Sequence, residues 1–179
     1  MLPVLGTQKG MVLLVSLVFL MLLGFLGLSA MESAAQQEKM AGAIRVANQS
    51  FQGAEAAMHR GESWLHGQWP GMTECKTPTR CAPPAEVRTR RSPGLDPQSG
   101  INWMQTEHGL YGLQFLGLSI PRSASETSGS VYLYRITGIG LRAQSRTVLE
   151  TLYARHQMAQ GEGAVPVQRF RRVMWRQIQ

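Results

Sequence analysis

Lys9-Gly10-Met11-Val-Leu-Leu-Val15-Ser-Leu-Val-Phe-Leu-Met-Leu-Leu-Gly-Phe-Leu-Gly-Leu28 is the stretch that decides the fold. From Met11 onward it carries no charge. With Ser29, Ala30 and Met31 it reaches about 20 residues, the length of helix that crosses ~30 Å of hydrocarbon. A lone span in lipid must satisfy its own backbone hydrogen bonds, so its state is helical. Lys9 stands just before it and holds that end on the cytoplasmic side by the positive-inside tendency, which puts the chain beyond Met31 outside. A secretory signal peptide is the competing reading. Such a signal has a shorter apolar run followed by a small-residue cleavage site, and Ser29-Ala30-Met31 is a poor one.

Beyond the span the chain enters water at Glu32, Gln36, Gln37, Glu38 and Lys39. No proline interrupts residues 11–69. Apolar residues recur at Met40, Ile44, Ala47, Phe51, Ala54, Met58 and Leu65, in steps of 4, 3, 4, 3, 4 and 7, which is one face of a helix. Arg45, Asn48, Gln52, Glu55 and His59 fall on other faces. Gly42, Gly53 and Gly61 oppose the helix by roughly 1 kcal/mol each against alanine. A single helix from Met11 to about Leu65 would run roughly 80 Å at its usual rise. Met40, Ile44, Phe51 and Met58 are the residues expected to pack on a sheet. A membrane-anchored protein with a juxtamembrane coiled coil would show the same stripe.

Gln8-Lys9-Gly10 followed by Met11 resembles the processing site of prepilins. In that family a short basic leader is cut after the glycine and the new N-terminus is methylated. The resemblance therefore implies a leader at 1–10 and cleavage between Gly10 and Met11 by a prepilin peptidase. Gln37-Glu38-Lys39-Met40-Ala41, Arg45 and Phe51-Gln52-Gly53-Ala54-Glu55-Ala56-Ala57 are similar to the N-terminal region of PilX-type minor pilins, with Gly53 in place of the usual alanine. The resemblance covers about the first third of the chain. It implies an α+β, pilin-like fold: a long N-terminal helix, membrane-spanning over 11–31 and amphipathic over 32–67, packed on a C-terminal antiparallel sheet. The implied partners are other minor pilins, the major pilin and a large tip adhesin, with the inner membrane as host before assembly.

Most pilins carry a glutamate at the fifth residue of the mature helix, and Val15 stands there in this chain. An ionised carboxylate in hydrocarbon costs several kcal/mol unless paired. In pilins the partner is the terminal amine of the subunit already assembled above. A subunit with none above it gains by losing the charge, so Val15 points to a place at or near a pilus tip. PilX-type minor pilins and the K-type pseudopilins of type II secretion share this lack.

Residues 68–105 read as a variable connection. Between Pro70 and Gly100 lie six of the nine prolines, both cysteines and the arginines Arg88, Arg90 and Arg91. Little regular structure is expected there beyond turns. In an oxidising compartment Cys75 and Cys81 read as a small-loop disulfide; they cannot alone make a four-ligand zinc site. Residues 106–179 are the expected sheet, with strands over Leu110–Ile120, Ser130–Thr137, Ser145–His156 and Gln168–Gln177, and with Gly138 and Gly140 marking a connection. In the third of these a helix is the alternative, and the strand reading rests on the resemblance, since PilX-type pilins carry a similar Arg-Thr-Val-Leu segment as a strand.

No nucleophile elbow, P-loop, H-E-x-x-H or paired C-x-x-C motif occurs, and the four histidines are scattered, so no catalytic, metal or cofactor site is expected. The net charge of +7 admits nucleic acid, acidic lipid or an acidic protein as partner. Arg169-Phe-Arg-Arg-Val-Met-Trp-Arg176 mixes cations with aromatics, as single-strand binders do, but an Arg-rich outer strand face gives the same pattern. A pilus subunit is the leading expectation. A type II secretion pseudopilin, a DNA-uptake pilin with a basic surface and a membrane-anchored enzyme are its rivals.

Overall fold

The computed structural model of the chain describes residues 9–119, 131–156 and 170–178. The chain divides into two compact units, Met1–Ile44 and Arg45–Gln179. Helix α1, Lys9–Gln68, contributes to both. Its first part makes up the described portion of the first unit, and there every side chain from Met11 to Ile44 is exposed.

In the second unit α1 is followed by a 3-10 turn at Trp69–Gly71, the short helix α2 (Pro78–Cys81) and a second 3-10 turn at Ala85–Arg88. Then come β1 (Gly94–Leu95), β2 (Asn102–Thr106), β3 (Gly109–Ser119), β4 (Val131–Arg142), β5 (Ser145–His156) and β6 (Phe170–Ile178). These form one antiparallel sheet in sequence order. The architecture is α+β and pilin-like, a long N-terminal apolar helix packed on an antiparallel sheet.

Alternation along the strands builds two cores. On the helix side, Ala54, Met58 and Leu65 of α1 are buried with Tyr134, Ile136, Leu149 and Tyr153, and Phe51 packs against them. On the other side, Leu110, Ile139 and Val148 of the sheet are buried with Val87, Ile101 and Trp103. The connection after α1 thus covers the back of the sheet. Removing this apolar surface from water stabilises both layers at about 25 cal/mol per Å².

The helix comes close to β4 because Gly138 and Gly140 face it: a β-carbon on Gly138 would stand 2.5 Å from the Ala54 carbonyl oxygen. The two glycines therefore lie inside β4 and admit a helix backbone; they do not mark a connection. Gly61 works from the opposite side, since a β-carbon there would meet Ile136 at 2.5 Å. Ser50 closes the contact with a hydrogen bond to Thr147, 2.8 Å, at the start of β5.

The expected packing stripe differs at its start. Met58 is buried and Phe51 partly so, but Met40 and Ile44 are 67% and 54% exposed. Periodicity describes a helix face without saying where its partner begins, and here burial begins at Ser50. The sheet also begins earlier than 106, since β1 and β2 lie within the proline-rich connection. Ser145–His156 is a strand throughout. The expected leader residues 1–8, and Ile120, Ser130, Gln168 and Arg169 from the expected strands, lie outside the described residues.

Candidate assembly and interaction surfaces

The first surface is the apolar part of α1. Its mean hydropathy over the best window is 2.8, long and apolar enough to cross a membrane. Gly10 and Met11 lie within the helix, one turn before Val15, which is 61% exposed among Met11, Val12, Phe19 and other apolar side chains. No charged group lies between Met11 and Met31. Such a surface can bury itself in lipid or against other apolar helices; it offers no chemistry.

The second is the back of the sheet around the disulfide. Cys75 and Cys81 are bonded, with Cα atoms 5.3 Å apart. Thr77 caps α2 by accepting from the Arg80 amide at 3.3 Å. The loop is seated on the sheet by side chains that reach its carbonyls. The Gln114 amide donates to Arg80 and Ala82, and Arg135 donates to Cys81 at 2.8 Å. The Cys75 amide also donates to the Phe115 carbonyl, 2.9 Å, fastening the loop to the outer edge of β3.

Beneath the loop lies Glu150, 0% exposed, on β5. Arg176 approaches it at 2.9 Å and Arg135 at 3.4 Å. Burial holds the Arg135 guanidinium below its ordinary pKa; the charge of Glu150 opposes that and the nearby charge of Arg176 adds to it. On the helix side a second cluster ties β6 to α1. Tyr153 donates to Glu62 at 2.6 Å, and Arg172 donates to both Glu62 and Tyr153. Burial raises the Glu62 pKa, but hydrogen bonds from Tyr153, His59 and Arg172 outweigh it and leave the carboxyl below its ordinary value. Tyr153 is pushed up to about 12, by burial and then by its bond to Glu62.

The β6 arginines therefore do not form one outer face. A bulge opposite Leu152 and Tyr153 turns Arg172 to the helix side, while Arg176 goes to Glu150 on the other. A nucleic-acid surface there would lack both cations. Among the described residues no group of three or more His, Cys, Asp or Glu side chains could hold a metal. His59 bonds Glu62, and His66 meets the Phe170 ring edge-on at 4.9 Å.

Glu150 had a signal in the sequence, a carboxylate in register with Val148 and Leu152 on one strand face. The arginines that pair with it had none, because only strand register brings them there.

Residues 9–59 match the family described as PilX N-terminal. The match supports a PilX-type pilin. It spans the exposed apolar part of α1 and the start of the face that packs on the sheet, and it relates the chain to the type IV pilus. Pilins are structural proteins, and the apolar helix fits a membrane-anchored pilus subunit. Comparison with curated proteins and with solved structures returned no match.

Proposed function

We propose that this chain is a minor pilin that takes part in priming type IV pilus assembly and sits at or near the pilus tip, supporting pilus-dependent motility and adhesion. The observation that carries the reading is Val15. An assembly helix with valine where pilins place glutamate has no carboxylate that needs an amine above it, which suits the first subunits laid down. The leader 1–10 is removed by the prepilin peptidase at Gly10–Met11 and the new N-terminus methylated. The subunit waits in the inner membrane with its sheet domain in the periplasm, then joins other minor pilins, the major pilin and a large tip adhesin. The oxidising periplasm suits the Cys75–Cys81 bond.

Intact mass and N-terminal sequencing of the membrane protein, with and without the peptidase, test the processing. A methylated Met11 that disappears without the peptidase is expected; an uncut leader would sink the reading. Gold labelling of sheared pili tests the place, and even labelling along the shaft would count against a tip role. A pseudopilin of type II secretion has the same Val15 argument. It would be favoured if deletion left pili intact and stopped protein secretion.

A further inference from the structure

Between β2 and the disulfide loop the outer edge of β3 is left open. β2 pairs with β3 from Thr106 back to Met104, which lies opposite Tyr111, and goes no further. The chain entering the loop rejoins the edge at a bridge between Glu74 and Phe115, where the Cys75 amide donates to the Phe115 carbonyl. Phe115 therefore turns its backbone groups outward, and alternation along the strand turns those of Leu113 outward too. Among the described residues the Leu113 amide and carbonyl have no backbone partner on that side. They face a groove of 670 Å³. Its helix side is lined by Trp64, Met72, Leu113 and Phe115, all half-buried. Lys76 and Arg80 of the disulfide loop, both exposed, also line it, and among the described residues neither has a carboxylate within ion-pair distance. Arg80 lies along Gly100 at the β2 end of the groove. Glu74 also lines the groove, but its carboxylate is turned over Gly117 at the other end, where an added β-carbon would strike it.

We propose that this groove takes an extended acidic segment of a partner protein, which pairs with the Leu113 backbone as an added strand and sets a carboxylate against Arg80 and Lys76. Strands added at an open edge bind through main-chain hydrogen bonds and are read through alternate side chains. Successive side chains of a strand point to opposite faces, and the two faces here differ. Met72, Leu113 and Phe115 belong to the helix side of the sheet and suit an apolar residue. Arg80 belongs to the back, where its carbonyl takes the Gln114 amide, and its guanidinium suits a carboxylate in the next position. A second copy of this chain is disfavoured as occupant, since each copy carries a net charge of +7. Nucleic acid is disfavoured because it brings no amide backbone to Leu113 and its phosphates would meet Glu74. The inference does not depend on the chain being a pilus subunit.

The test uses the full chain in detergent micelles and a fluorescent Gly/Ser peptide with a central Val-Glu-Val. Binding is expected to weaken with salt and to be lost when the centre is Val-Lys-Val. The double variant Lys76→Glu with Arg80→Glu should weaken it about tenfold, and Lys76→Gln alone by less. Arg171→Glu, an exposed arginine of β6 at the opposite edge of the sheet, should leave it unchanged. Methylating alternate amide nitrogens of the peptide should abolish binding in one of the two registers, because an added strand needs those donors. Thermal melts identify any variant that fails to fold, in which case Lys76→Gln decides. Several results would overturn the proposal: no binding, equal weakening by Arg171→Glu, no weakening by the folded variants, or binding that survives methylation in both registers. Tighter binding of single-stranded DNA or anionic vesicles, lost in the same variants, would also overturn it in favour of phosphate.

Discussion

Gly140 of β4 lies so close to α1 that a β-carbon on it would stand 1.8 Å from the carbonyl oxygen of Ser50. The amide nitrogen of Ala54 would be 2.4 Å away. Both obstacles are backbone, so no rotamer change relieves them. Gly140→Ala must push the helix off the strand and strain the adjoining Ser50–Thr147 hydrogen bond. A loss of about 3 kcal/mol is expected, the upper end for overpacking, read as a lower denaturant midpoint of the full chain in micelles. Gly42 has nothing within 4 Å of its added β-carbon, so Gly42→Ala should leave that midpoint no lower.

Glu62 makes the sheet's hold on α1 sensitive to acid. Its folded pKa lies below the ordinary 4.5, so the folded state favours the carboxylate. That stabilisation is fully present above the unfolded value and is lost as pH falls through the folded one. Tyr153 runs the other way. Its pKa is raised to about 12, so its contribution is present below the ordinary value of 10.0 and lost as pH climbs through about 12. The contribution of these two groups should be flat between these limits. Glu62→Gln should lower it at neutral pH and flatten the acid limb, as read from denaturation midpoints across a pH series. An unchanged acid limb would remove Glu62 from the account.

The Glu150 carboxylate is wholly buried between two arginines, one of which, Arg135, also seats the disulfide loop. Deleting one partner of such a group leaves a buried charge without its counterpart. Glu150→Ala should cost about 3–5 kcal/mol, and Arg135→Met a similar amount. Arg135→Met should also free the Cys75–Cys81 loop, detectable as faster amide hydrogen exchange at Cys81 and Ala82. Arg176→Ala should cost less, because its guanidinium is half in solvent.

Much of this fold is legible from local pattern. The charge-free run to Leu28 and the 3–4 spacing up to Leu65 mark the helix, whereas the alternation of Ser145–His156 leaves strand and helix both open until the sheet is seen to pair it as β5. Local pattern fails where a residue answers to something distant. Gly138 and Gly140 look like punctuation, yet they are strand positions emptied for a helix backbone. The strand Asn102–Thr106 hides among prolines and glycines, and only the alternating, buried Ile101 and Trp103 betray a second core. Met40 and Ile44 continue a face whose partner is absent from their stretch of α1. The pairing of Glu150 with Arg135 and Arg176, and the meeting of Arg146 with the Val87–Arg91 backbone, depend on register across the whole sheet.

Val15→Glu tests the tip assignment directly. A carboxylate at the centre of a span costs about 2.5–3.5 kcal/mol on insertion scales, and less toward an end, where Val15 sits, four residues after Met11. The variant should therefore still enter the membrane, and immunoblots of membranes should show near-normal amounts. Its fate in assembly depends on what lies above it. Within a shaft, the new carboxylate would meet the terminal amine of the preceding subunit, as in pilins that carry the glutamate naturally. Pilus numbers would then hold or rise. At the tip nothing lies above, so the charge stays unpaired in an apolar setting or must bind a proton. In a strain lacking the native protein, Val15→Glu should therefore give fewer pili by electron microscopy at unchanged membrane abundance. Unchanged pilus numbers would place the subunit in the shaft instead.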